Sequence, residues 1–116
     1  MFRIEQDPLF WWPVVVRRPD PDKPGEFREL KFEAQYRWLS DRDYDALLLE
    51  CVEKQLLVAD VVPRVCAGFR HVQQADGSAL ESTADNLQVL LAQQGVPRAV
   101  WDTYRECRDK AAEKNS

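Results

Sequence analysis

The clearest pattern along the chain is an alternation of apolar and polar residues between positions 29 and 38. Successive side chains of a strand point to opposite faces, so this alternation predicts a strand with one buried face. An earlier apolar segment predicts its partner, a strand from about Trp12 to Arg17 that Pro13 interrupts. Prolines and a glycine between positions 19 and 25 favour the connecting turn of a β-hairpin over residues 9–38. The buried face of the second strand would consist of Leu30, Phe32, Ala34, Tyr36 and Trp38.

Apolar residues at helical spacing follow the hairpin. The first predicted helix begins at Ser40, whose hydroxyl can cap it, and runs to about Leu57. Asp60 is the predicted cap of a short second helix, with Pro63 in its first turn and its end near Gly68. Each helix has one apolar stripe, which must be covered by another part of the protein.

The C-terminal third contains signals for a short strand and two more helices. The strand is predicted over residues 69–73, before a turn at Asp76-Gly77. Ser82 is the predicted cap of the third helix, and Gly95 closes it. The fourth helix follows and is expected to fray over its last residues, 111–116.

Together these elements predict one α+β domain over residues 1–116. A loose arm (1–8) precedes the hairpin (9–38), and a helical region (40–114) of about four short helices packs against the hairpin. An isolated hairpin is marginally stable in water, so its apolar face requires the helices as cover.

Charge and length exclude several classes of protein. The chain has 116 residues and a formal net charge of −4 at pH 7, with no basic stripe, which argues against nonspecific nucleic-acid binding. No apolar run approaches the roughly 20 residues that span a bilayer. The first ten residues lack the pattern of a signal peptide, so we expect a cytoplasmic protein.

Few side chains suit catalysis or metal binding. Cys51, Cys66 and Cys107 form no Cys-x-x-Cys pair and are predicted to be structural thiols. His71 is the only histidine and has no second ligand at metal-binding spacing. The acids Asp41, Asp43, Asp45 and Glu50 suit the dipole of the first helix better than acid–base chemistry. We therefore expect a protein without enzymatic activity, cofactor or metal.

The adjacent residues Trp11 and Trp12 leave two interpretations open. On a strand their side chains point to opposite faces, so one core cannot take both. Either one is buried beneath the first helix while the other covers a loop, or one stays exposed as a docking anchor. The same question arises for Trp101 and Tyr104, where core packing is favoured.

The order of motifs after residue 67 resembles a known family. A Gly-aromatic pair, an apolar step, an acidic-Gly turn, a Ser-initiated helix and a closing helix follow one another at the family's spacing. These motifs are Gly68-Phe69, Val72, Asp76-Gly77, Leu80, Ser82, Asn86-Leu87, Gly95-Val96 and Tyr104. In this order they resemble the small tail assembly chaperones of long-tailed bacteriophages, and the likeness extends upstream through residues 32–57.

This resemblance implies a concrete function. Such chaperones bind the tape measure protein and keep it soluble until tail tube protein polymerises around it, in the cytoplasm of the bacterial host. The resemblance also allows for the tail tube protein as a second partner, for weak homo-oligomers, and for absence from the mature virion. The residues we expect to contribute to client binding are Trp11 or Trp12, together with Leu87, Leu91 and Trp101.

Two other classes of protein stay open on the sequence. One is a small structural or adaptor protein that remains in a phage particle or host complex, which would bury a larger apolar interface. The other is a small-molecule-binding module in a groove between hairpin and helices, although no polar constellation supports it.

Overall fold

The computed structural model describes residues 2, 4 and 8–115. Three strands form one antiparallel sheet in the order β1-β2-β3, and four helices accompany it. This architecture confirms the predicted α+β class and its N-terminal hairpin. Five of the eight residues of the predicted arm, 1–8, lie outside the described residues. In chain order the elements are β1 (Leu9–Pro19), β2 (Phe27–Arg37), α1 (Asp41–Glu53), α2 (Val58–Val65), β3 (Cys66–Arg70), α3 (Ala84–Leu91) and α4 (Val96–Asn115).

The hairpin has one uninterrupted register, from the pair Leu9–Arg37 to the pair Pro19–Phe27. At one end the Trp38 amide donates to the Pro8 carbonyl at 2.9 Å, and at the other end the Asp20 amide donates to the Glu26 carbonyl at 2.9 Å. Hydrogen-bonded pairs alternate with non-bonded pairs in an antiparallel ladder. The even-numbered residues of β1 and β2 therefore bond to each other. The backbone groups of the odd-numbered residues point away, towards the free edge of β1 or towards β3.

One face of the sheet is covered by helices and forms the core. Of the five residues predicted to form this buried face, Phe32, Ala34 and Tyr36 are buried, whereas Leu30 is 37% exposed and Trp38 lies beyond the end of β2. The Tyr36 hydroxyl donates to the Val100 carbonyl at 2.7 Å and ties β2 to α4. Burial raises the pKa of Tyr36, so this phenol stays a neutral donor. The helices and β3 complete the core with Leu47, Val61, Val62, Val65, Phe69, Leu90, Val96, Val100, Trp101 and Tyr104.

The first two helices begin and end differently from the prediction. Ser40 caps α1 as expected, but α1 ends at Glu53 rather than near Leu57, because Gln55 has a positive φ of 50°. The second helix, α2, begins at Val58 without a side-chain cap. Asp60 lies in its first turn, and Pro63 lies deeper in the helix than predicted.

Three predictions in the C-terminal half are also corrected. The strand β3 begins at Cys66, earlier than the predicted residue 69, since the segment after α2 pairs directly with β2. Thr83, not Ser82, caps α3, by accepting from the Asn86 amide at 3.1 Å. Gly95 has the expected positive φ, but α3 has already ended at Leu91.

Candidate functional site

The two adjacent tryptophans of β1 lie on opposite faces of the sheet. Trp12 is on the helix-covered face, beside α4, and 39% of it is exposed. Trp11 is on the open face, half-buried, with the Arg70 guanidinium 4.2 Å above its ring centre. Trp12 is therefore next to α4 rather than beneath α1, and Trp11 is covered by a strand residue rather than a loop.

Trp12 belongs to a cleft between the open end of the hairpin and the last helix. The cleft has a volume of about 450 Å³, within the range of ligand-binding pockets. Its walls are almost entirely apolar, and we call it the aromatic cleft. The hairpin end contributes Pro8, Phe10, Trp12 and Trp38, and α4 contributes Cys107, Lys110, Ala111 and Lys114.

The walls of the aromatic cleft are continuous with the core. The ring of Phe10 lies 5.6 Å from Tyr36, 5.5 Å from Trp38 and 6.4 Å from Trp12, measured between ring centres. Tyr36 in turn contacts Tyr104 of α4 at 5.2 Å. Aromatic pairs at these separations stabilise one another beyond the area they bury. Trp12 therefore contacts Phe10, which itself packs against the core.

A buried arginine, Arg108, holds Trp38 in the hairpin wall of the cleft. The guanidinium carbon of Arg108 lies over the rings of Trp38 and Tyr44, at 4.4 and 4.2 Å from their centres. It donates to the Leu39 carbonyl at 2.8 Å and to Asp41 at 3.1 Å. Because Arg108 belongs to α4, these contacts hold Trp38 against the helix that forms the opposite wall.

Two lysines give the rim of the cleft a positive charge. Lys110 and Lys114 are one helical turn apart on α4, and the lining residues Cys107 and Ala111 lie on the same side of the helix. Lysine stems cover apolar surface while the ammonium groups stay in water. Lys110 is also paired with Glu106 of α4 at 3.5 Å, so the positive charge of this rim is partly offset. The cleft therefore suits an apolar anchor flanked by acidic residues.

The five residues expected to contact a client do not form one surface. Trp12 lines the aromatic cleft, and Trp11 lies on the other face of the sheet. Leu87 and Leu91 of α3 are half-buried and pack against the core. Trp101 is 6% exposed and stacks on Tyr104, in agreement with core packing, and a direct contact with a partner does not fit this position.

Sequence reasoning missed Trp38, Lys110 and Lys114 as part of the site. The spacing of residues 107, 110, 111 and 114 does indicate a half-apolar, half-basic helix face. Nothing in the local pattern places this face beside Pro8, which lies about a hundred residues earlier in the chain. That contact depends on how α4 crosses the hairpin.

The residues that were weighed for chemistry have structural contacts. Ser82 accepts from the Phe69 amide at 3.2 Å, and His71 lies 3.8 Å from Glu33 on the surface. Burial raises the pKa of the Cys66 thiol to about 11 and also raises the pKa of Cys107, so both thiols are protonated at neutral pH. Within residues 2, 4 and 8–115, no group of three or more His, Cys, Asp or Glu is placed to hold a metal ion. Over the same residues, no helix is long and apolar enough to cross a membrane.

Comparison of the chain with protein-family models, with curated proteins and with solved structures gave no match. The likeness to tail assembly chaperones therefore depends on the motifs between residues 68 and 104 and on the upstream segment described above.

Proposed function

We propose that this protein is a tail assembly chaperone of a phage or prophage, which binds the tape measure protein reversibly and performs no chemistry. The observation that carries this proposal is the aromatic cleft, an apolar concavity that the described residues leave open, with Trp12 in its wall and two lysines at its rim. Apolar clefts rimmed by charge are typical docking sites for amphipathic helices. The sequence motifs supply the identity of the client.

The dimensions of the aromatic cleft suit a transient contact. Its volume of about 450 Å³ accommodates a few apolar side chains from one face of a client helix. Standard stable interfaces bury about 1,600 Å², far more than this cleft alone can cover. A single chaperone molecule would therefore hold its client weakly, and tail tube protein could displace it during polymerisation. We place this activity in the host cytoplasm and expect no chaperone in mature particles.

This contact would also protect the client from aggregation. A long, helical and partly apolar rod exposes surface that aggregates before tube subunits cover it. Several chaperone molecules along one rod would cover successive apolar faces. No step of this cycle needs nucleotide hydrolysis, because tube polymerisation supplies the driving force for release.

The adjacent tryptophans provide a matched test. Trp12→Ala removes the exposed anchor of the aromatic cleft, whereas Trp11→Ala removes an equal side chain from the opposite face of the sheet. We expect Trp12→Ala to weaken binding of the tape measure protein at least tenfold, which corresponds to about 1.4 kcal/mol or more. Trp11→Ala should leave the affinity within about twofold. Co-expression with the tape measure protein, followed by calorimetric titration of the purified pair, measures both effects.

Two results would contradict the proposal. One is a tape measure protein that stays equally soluble without this chain. The other is recovery of this chain as a fixed subunit of mature particles, which would favour the structural or adaptor alternative.

A further inference from the structure

The outer edge of β1 is protected against pairing with another strand. Its odd-numbered residues direct their backbone groups towards this edge, as the hydrogen bonds at both ends of the hairpin require. Two of them, Pro13 and Pro19, have no amide proton to donate. Prolines at an edge are a common way to prevent unwanted strand pairing. This edge is therefore a poor docking site for an extended peptide.

The outer edge of β3 is covered as well. The Phe69 amide points away from β2 and donates to the Ser82 hydroxyl oxygen at 3.2 Å. The same oxygen lies 3.0 Å from the position that a Cβ on Gly68 would occupy. The segment around Ser82 thus lies directly against this edge.

The edge of β2 that faces β3 is paired over only part of its length. The unpaired half contains no proline and is not covered by another segment among the described residues. β3 pairs with β2 only between Glu33 and Tyr36, and its last residue is Arg70. His71 then has a φ of 65°, a left-handed conformation that is uncommon for residues other than glycine, and there the chain leaves the sheet. Continued pairing would have placed residues 71–74 opposite residues 32–29. Within the described part of the chain, the outward backbone groups of Glu29 and Lys31 have no strand partner.

An open groove lies beside this half-edge. Its volume is about 1080 Å³, and it separates the hairpin from α3 and from the 71–80 turn. We call it the strand groove. Leu30 is 37% exposed and Val89 is 54% exposed, so apolar surface is available on both of its sides. The apolar residues that line it include Leu30, Phe32, Val72, Leu80, Val89 and Leu90.

We propose that the half-edge at Glu29 and Lys31 binds an extended segment of a partner polypeptide, which continues the line of β3. Such a segment of about four to six residues would exchange main-chain hydrogen bonds with Glu29 and Lys31 and direct alternate side chains into the strand groove. The partner should therefore have apolar residues at every second position. That this partner is the tape measure protein rests on the proposed function. In that case the client would make two contacts, a helical one at the aromatic cleft and an extended one at the half-edge.

The charges beside the half-edge indicate one further feature of the bound segment. Glu29 lies 3.8 Å from Arg17, and Arg70 is paired with Glu33 at 2.6 Å. Lys31 lies between Glu29 and Glu33 on the same face of β2, and it makes no ion pair within the described residues. Opposite charges directly across two strands stabilise their pairing. We expect an acidic residue in the bound segment opposite Lys31.

Amide hydrogen exchange on the full chain tests the inference directly. Saturation with overlapping peptides from the tape measure protein should slow exchange of the Glu29 and Lys31 amides at least tenfold. The amides of Arg28, Leu30 and Phe32 already bond to β1 and provide an internal control that should change little. Unchanged exchange at Glu29 and Lys31 while a peptide is bound would overturn the inference.

A variant pair separates the backbone from the side chain. Lys31→Pro removes the amide that would donate to the partner, and this amide takes no part in the ladder to β1. Lys31→Thr removes the same side chain but keeps the amide. We expect Lys31→Pro to weaken peptide binding at least fivefold relative to Lys31→Thr, and equal affinities would contradict the proposal. The exchange measurement uses the unaltered protein, so it decides the matter even when Lys31→Pro does not fold.

A second probe distinguishes failure of this inference from failure of the proposed function. The probe is an acetylated and amidated hexapeptide in which valine alternates with threonine and glutamate. Tape measure binding that depends on Trp12 but leaves the exchange at Glu29 and Lys31 unchanged would refute only the inference. Protection of the two amides by the hexapeptide, without any binding of the tape measure protein, would support the inference and refute the proposed function. Absence of both effects would refute both.

Discussion

Arg108 is the one charged residue in the core of the described chain, at 6% exposed. Its burial is tolerated because the guanidinium has several partners. It lies over the rings of Trp38 and Tyr44, and it donates to the Leu39 carbonyl, to Asp41 and, at 3.2 Å, to the Tyr104 hydroxyl. Lysine could not reproduce this planar, multidentate arrangement. Arg108 therefore joins α4 to the connection between β2 and α1.

The first prediction concerns the two partners of the Arg108–Asp41 ion pair. The side chain of Asp41 is 98% exposed, whereas that of Arg108 is 5% exposed. Arg108→Met should lower the free energy of unfolding by about 2–3 kcal/mol, because it removes several hydrogen bonds and the cation–π contacts. Asp41→Asn should cost no more than about 1 kcal/mol, as expected of an exposed ion pair. Urea denaturation of both variants measures the difference, and equal costs would contradict this account.

A second residue-scale prediction concerns acid stability. Hydrogen bonds from Arg64 and Lys54 lower the pKa of the Glu50 carboxyl from 4.5 to about 2. The folded pKa is lower than the unfolded one, so the unfolded chain binds more protons at this site between the two values. The contribution of Glu50 is complete above pH 4.5 and is lost as the pH falls towards 2.

We therefore expect Glu50→Gln to reduce the slope of unfolding free energy against pH between about 5 and 2. Urea denaturation at several pH values measures this slope. Glu53→Gln, on the same helix, is the control, because Glu53 has no ion pair within the described residues. A slope that Glu50→Gln leaves unchanged would show that the contact with Arg64 does not persist in solution.

At the scale of elements, the sequence predicts best where one pattern has one cause. The alternation of Phe32, Ala34 and Tyr36 specifies β2, because its period depends only on which face is buried. The ends of elements are less predictable, since several residues can satisfy the same requirement. Ser82 and Thr83 both offer a hydroxyl, and packing of β3 against Ser82 decides which one caps α3.

The prediction at the scale of elements concerns the outer edge of β1. Pro13 contributes no hydrogen bond to the β1–β2 ladder, so Pro13→Val should leave the stability of the monomer within about 1 kcal/mol. The new amide faces the free edge and should allow two copies to pair through β1. We expect sedimentation velocity to show more self-association for Pro13→Val than for the unaltered chain.

Pro24→Val makes the same chemical change in the exposed turn of the hairpin and is the matched control. It should not alter the association state. A similar association of both variants would mean that added apolar surface, and not the freed edge, causes the effect.

At the scale of the whole molecule, candidate binding surfaces arise from packing between distant parts of the chain. The aromatic cleft combines Pro8 with Lys114, and the strand groove combines Leu30 with Val89. Local pattern identified Trp12 as a candidate anchor but could not select it over Trp11, because that choice depends on which face α4 covers. The two concavities lie on the helix-covered face at opposite ends of the hairpin. One partner could therefore contact both.

Charge distribution provides the last prediction. The protein carries a net charge of −4, and Lys110, which is paired with Glu106, and Lys114 lie at the rim of the aromatic cleft. Charges at the rim of an interface affect mainly the association rate and its salt dependence. Lys110→Gln with Lys114→Gln should therefore weaken client binding by about 3–10-fold at low salt and reduce its salt dependence.

The double variant Arg98→Gln with Arg105→Gln removes the same charge from exposed positions of α4 outside the cleft. It should have a smaller effect, because neither arginine lines the cleft. Titrations of the tape measure protein between 50 and 500 mM salt would measure both slopes, and parallel slopes would mean that net charge, and not the rim of the cleft, governs client binding.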